Sequence, residues 1–159
     1  MEQRKPRSPV SFDESIKGRR SVYVNVPGDP FAKQRPRAAR KGRYITIYTP
    51  NETKQYEEKV RKEYKKFFND TKLIGDLSVV IEGIFSIPKS SSKKLTSKMI
   101  DGEIAHTKKP DCDNMAKTPL DALNGVAYID DAQINRLSIS KRYGEDPMLR
   151  VTIMENKML

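Results

Sequence analysis

Apolar residues recur along the chain with two different periods. In SVYVNVPG (21–28), Val22, Val24 and Val26 alternate with more polar neighbours until Pro27-Gly28 ends the run. A two-residue period of this kind predicts a strand with one buried face. YITIYT (44–49) is a shorter run of β-branched and aromatic residues, and LSVVIEGIFSIP (77–88) is nearly all apolar and closed by Pro88. INRLSISKRY (134–143) and PMLRVTIME (147–155) read as two further strands joined by the turn Gly144–Glu145–Asp146. Between these runs the period lengthens. From Pro50-Asn51 to about Asn69, Tyr56, Val60, Tyr64 and Phe67 or Phe68 recur at steps of three and four, which predicts an amphipathic helix. Tyr56, Tyr64, Phe67, Phe68 and Phe85 are accordingly expected in the core. A second helix is expected from about Asp113 to Asn124, stopped by Gly125. The order β-β-α-β-α-β-β implies an α+β fold, a mostly antiparallel sheet packed with two main helices.

Three segments fall outside this pattern. Residues 1–20 are polar and charged, and read as a flexible basic tail preceding one domain over 21–159. DPFAKQRPRAARKGR (29–43) carries six basic residues and no acid after Asp29, and its two prolines point to an extended basic loop. Residues 89–109 are Ser/Lys-rich, either a loop or a short helix around Leu95 to Ile100. There is no internal repeat.

Charge narrows the partner. The chain has 31 Lys and Arg against 21 Asp and Glu, a formal net charge of +10. That surplus favours a polyanion, nucleic acid or an acidic membrane surface. No apolar run approaches the roughly 18 residues of a membrane span, and the N-terminal stretch has no apolar segment of a secretory signal. A single cysteine, Cys112, and a single histidine, His106, exclude an internal disulfide, a Cys-based structural zinc site and His-pair chemistry. A reducing compartment is expected, most simply the cytoplasm.

Against this basic background, KKPDCDNMAKTPLDALNGVAYIDD (108–131) opens and closes on acid. Asp111 and Asp113 share a face if the segment is extended, although Asp113 is also a natural N-cap for the helix that follows. The helix would span roughly 16 Å at 1.5 Å per residue. A strand lying beside Asp111 could then return Asp130-Asp131 to the first pair. Carboxylates meeting in this way repel unless a divalent cation neutralises them, and magnesium suits such a site. Lys117, four residues after Asp113, has two readings. It is one rung of a surface ladder Asp113–Lys117–Asp121, or an ammonium that steers a phosphate and stabilises transition-state charge. Asn114 either orients a carboxylate or continues the cap.

KPDCDNMAKTPLDALNG followed by YIDDAQI resembles the signature of the RusA family of Holliday-junction resolvases, small endonucleases of bacteria and their phages. GDPFAKQRPR and YTPNETKQYEEKV also resemble that family's basic segment and the start of its first helix, so the likeness covers about residues 22–155. The resemblance implies magnesium bound by Asp111, Asp113 and Asp131, with manganese as a substitute. It makes Lys117 the catalytic lysine and Asp130 a helper or a turn residue. It also implies a homodimer acting on branched DNA, the four-way junction, in a bacterial host cell. One departure is Pro119. It should kink the helix, or the helix should start near Lys117 and upset the spacing of Asp113 and Lys117.

Lys33, Arg35 and Arg37 alternate in an extended chain and are expected to track phosphates. Arg40, Lys41 and Arg43 are expected to contribute general electrostatics. Cys112 is expected to be a packed thiol, and His106 a surface residue without a role. The expected function is magnesium-dependent, structure-selective cleavage of DNA. Two rivals remain: a non-catalytic basic DNA-binding protein, with the carboxylates as caps and ion pairs, and a magnesium enzyme of small phosphate esters. The second has no use for the basic loop, and the chain lacks a P-loop cradle.

Overall fold

The computed structural model describes residues 19–156. Most of the expected N-terminal tail therefore lies outside the described residues. The elements run β1 (Ser21–Pro27), β2 (Arg37–Lys41), β3 (Tyr44–Tyr48), α1 (Asn51–Phe68), β4 (Leu77–Ser86), α2 (Lys93–Ile100), α3 (Cys112–Leu123), β5 (Ile134–Gly144) and β6 (Met148–Glu155). A single 3-10 turn, Asp131–Gln133, leads into β5. The architecture is α+β, as the pattern implies.

Four strands form one sheet in the order β1-β6-β4-β5. β6 pairs antiparallel with both β1 and β4, while β5 runs parallel to β4. The turn at 144–146 does join β5 to β6, yet the two strands do not pair, because β4 lies between them. The link must therefore cross the end of β4. Gly144 permits this: a Cβ there would stand 2.5 Å from Ile84 Cγ2. β4 is consequently the most enclosed strand, and its near-continuous apolar sequence follows from that position.

One face of the sheet makes the core. Val22, Val24 and Val26 of β1, Leu149, Val151 and Ile153 of β6, and Leu77, Val79 and Ile81 of β4 are buried there. α1 and α3 cover them with Val60, Tyr64, Met115, Ala122 and Leu123. Phe85 is buried as expected, but Phe67 is 49% exposed, on the outer side of α1, while Phe68 packs against Tyr64 at 5.2 Å between ring centroids. Fully burying a side chain of this size contributes about 1.5–3 kcal/mol, so this single layer of contacts carries most of the fold.

β2 and β3 form a separate two-stranded antiparallel ribbon, registered from Arg37↔Tyr48 to Lys41↔Tyr44. The expected basic loop thus ends in a strand at residues 37–41. The ribbon turns through Gly42-Arg43, with Gly42 at a φ of 67° that a side chain rarely adopts. Every residue of both strands is exposed. The segment 93–100 resolves as a helix, α2, capped by Ser92 and anchored by Met99.

One end of the sheet is tied together at Glu155 of β6. Its carboxylate accepts hydrogen bonds from Arg20 Nε at 3.1 Å and from Ile74 N–H at 2.8 Å, joining the entry to β1 and the entry to β4. Burial works to raise the Glu155 pKa, but these bonds outweigh it and hold the group below the usual value. A depressed carboxylate stabilises the fold above the unfolded pKa, and that contribution is lost as pH falls through the folded one. Glu155→Gln should therefore cost about 1 kcal/mol near neutral pH. The gap from the parent chain should close as pH falls below about 4, as urea denaturation at a series of pH values would show.

Candidate active site

α3 lies across the sheet with its first turn beside the far end of β5. Its seat depends on Gly83 of β4, where a Cβ would stand 2.4 Å from Met115 Sδ and 3.0 Å from the Phe85 ring. The helix runs unbroken from Cys112 to Leu123, so Pro119 neither ends it nor delays its start. Proline leaves the Met115 carbonyl without its usual donor. The last turn is secured instead at Leu120, whose carbonyl accepts from Asn124 N–H at 3.0 Å and from the Tyr128 hydroxyl at 2.7 Å.

Asp111 occupies the N-cap position, with extended backbone angles, but its side chain makes no capping bond. Asp113 lies in the first turn rather than at the cap, so the capping reading fails for both residues. Their carboxylates interact with one another, and Lys117 Nζ lies 3.2 Å from Asp113 Oδ2. The hydrogen bond from Lys117, followed by that with Asp111, holds the Asp113 carboxyl below the usual value. Asp113 is therefore anionic at neutral pH. The i, i+4 spacing survives the proline. The ladder does not extend to Asp121, which pairs with Lys33 instead.

The helix start is held by residues that the sequence did not single out. Lys141 of β5 donates to the carbonyls of Lys108 at 2.8 Å and Pro110 at 2.7 Å, fixing the peptide that leads into Asp111. Only a strand period was legible at Lys141; nothing in the sequence pointed to residue 110. On the other side, the 29–36 segment is pinned across α3. Lys33 N–H donates to the Asn114 carbonyl at 3.4 Å, the Thr118 hydroxyl donates to the Phe31 carbonyl at 3.4 Å, and Phe31 stacks on Tyr56 at 5.3 Å.

Between these walls lies an open cleft of about 1070 Å³, lined by Lys33, Arg35, Lys108, Lys109, Lys117 and Lys141 and by the carboxylates Asp111 and Asp113. Six cations thus surround two acids. Arg37, expected to act with Lys33 and Arg35, stands outside the cleft on the ribbon. Asn114 lines the cleft as well. Cys112 is a free thiol of intermediate exposure at the helix start.

His106 is buried, not a surface residue. Its ring stacks on Phe85 at 3.9 Å and meets Tyr143 edge-on at 4.9 Å. Burial, and after it the Lys141 ammonium, holds its pKa below the usual value. The aromatic cage explains why a lone histidine sits among apolar neighbours.

Asp130 and Asp131 form a second acidic point. Asp130 caps the 3-10 turn, accepting Ala132 N–H at 2.8 Å, while Gln133 closes the box by accepting the Asp130 N–H at 3.1 Å. Asp130 is thus a turn residue. Asp131, which is exposed, is raised first by its hydrogen bond with Asp130 and also by the charges of Asp130 and Asp121. It precedes β5, whereas Lys141, next to Pro110, is seven residues into that strand, roughly 23 Å along it at 3.3 Å per residue. One chain therefore brings together Asp111, Asp113 and Lys117 and groups Asp131 with Asp121 and Asp130. Among the described residues no cluster of three or more His, Cys, Asp or Glu side chains is shaped to hold a metal.

Residues 27–154 match the family described as Endodeoxyribonuclease RusA. The chain belongs to that family. It is also 34% identical over 136 residues to a Bacillus subtilis (strain 168) protein named "Uncharacterized protein YqaN", covering 84% of this chain and 96% of that one. The RusA-family match takes in the whole of the cleft, from Pro30 to Lys141. No helix among the described residues is long and apolar enough to cross a membrane.

If Lys141 holds the approach to Asp111, Lys141→Met should destabilise the chain by about 1.5–3 kcal/mol, the net worth of a hydrogen bond that involves a charged group. Amide hydrogen exchange should speed up first at the start of α3, and Lys141→Arg should restore much of the protection. Exchange unchanged at Met115 would show that the helix start needs no such clamp.

Proposed function

We propose that this protein is a magnesium-dependent endodeoxyribonuclease that resolves four-way DNA junctions. The observation that carries the reading is the uncapped pair Asp111–Asp113 beside Lys117 in a cation-lined cleft. Neither carboxylate caps the helix, and with Asp113 held by Lys117 both acids still line an open cleft.

These residues fit magnesium. The ion takes one or two carboxylates, keeps several waters and leaves positions for substrate phosphates, and Asp111 and Asp113 offer hard oxygen donors at an open cleft. Bound there, the ion would supply a water of lowered pKa and Lewis-acid stabilisation of the scissile phosphate; manganese would serve in its place. Asp131 is carried as the third acid on the family pattern alone.

The chain's own residues do the rest. Lys33, Arg35, Lys108 and Lys109 neutralise backbone phosphates entering the cleft. Lys117, on the same helical face as Asp113, holds its ammonium where charge develops on the phosphate oxygens. A rigid first turn, fixed by Lys141 and by Gly83, positions these groups before substrate arrives. A junction is cut in pairs of strands, so a homodimer with two such sites is part of the proposal.

Asp113→Asn should abolish cleavage of a labelled four-way junction in magnesium while binding, measured by gel shift, survives or tightens. Near-normal cutting by that variant would remove Asp113 from the site. Lys117→Ala should lower the single-turnover rate far more than affinity, as expected of a group that acts in the transition state. Equal losses in rate and binding would make Lys117 an ordinary phosphate contact.

A further inference from the structure

The ribbon β2–β3 has two unlike faces. Residues opposite one another in register share a face, and faces alternate along each strand. One face therefore carries Ala38, Arg40, Ile45 and Ile47. The other carries two directly opposed basic–aromatic pairs, Arg37↔Tyr48 and Lys41↔Tyr44. On this second face Tyr44 is 79% and Tyr48 43% exposed. Neither ring takes part in an aromatic stack within the chain among the described residues, unlike Phe31, Tyr64 or Phe85. Tyr64 and Tyr128 are fully buried in the core, whereas Tyr44 stands almost free and Tyr48 is partly exposed.

Charge identifies the occupant. Between Asp29 and Glu52 there is no acidic residue, while six Lys and Arg are present, so the ribbon is a purely cationic surface. A second copy of the chain would bring the same charges against it. A polyanion with exposed aromatic faces matches both features, the phosphates meeting Arg37 and Lys41 and the bases meeting the rings. Stacking of a base on an aromatic side chain is open to any unpaired base and closed to bases inside a duplex. Tyr44 and Tyr48 are four residues apart on one face, about 14 Å at 3.4 Å per residue, so each ring would take its own base.

We propose that the Arg37–Lys41–Tyr44–Tyr48 face of the ribbon is a stacking platform for unpaired bases of branched or single-stranded DNA. This rests on the reading of the protein as a DNA-acting nuclease and names the feature of the substrate that the ribbon reads. The cleft at Asp111 handles phosphates; the ribbon distinguishes a branch from plain duplex.

The chain has no tryptophan, so a single one makes an unambiguous reporter. Full-length Tyr44→Trp and Tyr48→Trp variants would be titrated, without divalent metal, with a four-way junction, a single-stranded oligonucleotide and a blunt duplex. Anisotropy of labelled DNA would follow binding independently. Tryptophan emission should be quenched by junction and single strand, and far less by duplex. The double variant Tyr44→Ala/Tyr48→Ala should lose at least about fivefold in single-strand affinity, the low end of what a stacked base contributes, while its duplex affinity and melting temperature stay near those of the parent. Emission that stays constant while anisotropy reports binding would overturn the inference. So would equal quenching by duplex, which would mark a phosphate contact only, or emission that depends on protein concentration without DNA, which would mark a second copy. Junction cleavage without quenching would sink the platform and leave the proposed function standing. Quenching without cleavage in magnesium would do the reverse, and failure to bind any of the three DNAs would overturn both.

Discussion

The close approach of α3 to β4 governs the rest of this structure. Met115 enters the space that a side chain at Gly83 would fill, and Met115 lies between Asp113 and Lys117 on the same helix. The packing contact therefore sets the height and rotation of the turn that carries the acids. Protein interiors are close-packed, so a helix seated this way has little room to shift. Arg61 of α1 secures the other end by donating to the Ala122 carbonyl at 3.2 Å, where a cation also favours the helix terminus. The acids project from a buried, rigid element, while the cations around them come from four different segments.

That arrangement explains how a chain of net charge +10 tolerates two adjacent carboxylates at its surface. Asp111 and Asp113 sit at a helix N-terminus, where the backbone presents partial positive charge. They are ringed by lysines whose attraction offsets their mutual repulsion. Lys141 is the exception in this ring: its ammonium is spent on backbone carbonyls and shapes the loop rather than the field. Lys33 is also partly spent, on Asp121. Arg35, Lys108 and Lys109 have no acidic partner among the described residues, so they are the charges left for a ligand.

Much of this was legible in the sequence, for identifiable reasons. β1, β4 and β6 bury a face, so their apolar periods had to show, and α1 and α3 lay under the same constraint; β5 buries only Tyr143 and Gly144 at its end. β2 did not show because Arg37–Lys41 buries nothing; its strand state comes from the partner ladder and from the Gly42 turn, and the two-residue Gly-Arg spacing was the only cue. The parallel placement of β5 was hidden because a short turn to β6 reads the same whether or not a third strand lies beneath it. Gly144 was the trace of that crossing. The contact of Asp113 with Lys117 was legible from the i, i+4 spacing, whereas Asp111 and Asp113 meet at a helix start and not on one face of an extended segment. The return of Asp131 was not settled by pattern, since it depends on which end of β5 lies beside Asp111, a property of topology rather than of local sequence. His106 was misread because a single histidine carries no period, and only the tertiary placement of Phe85 and Tyr143 encloses it.

The ribbon and the helix divide the molecule into parts of very different stability. α3 has Met115, Ala122 and Leu123 at 0% exposure, whereas Ile45 and Ile47 of β3 are each 73% exposed. At roughly 1.5–3 kcal/mol for each large side chain buried, the helix gains several such increments and the ribbon gains almost none. A lone two-stranded hairpin is marginal in water. This one is held by its five-residue ladder, the β-branched residues of β3 and an Arg40 Nε bond to the Gly42 carbonyl at 3.2 Å. Elements that meet ligands are commonly drawn from the low-stability end of a fold. Here the contrast has a direct physical source: the residues that would contact a partner are the ones withheld from the core, and the same withholding leaves their element short of stabilising contacts. The acids of the proposed site would be under the opposite constraint, because chemistry needs fixed geometry, and they lie on the helix that is buried most deeply.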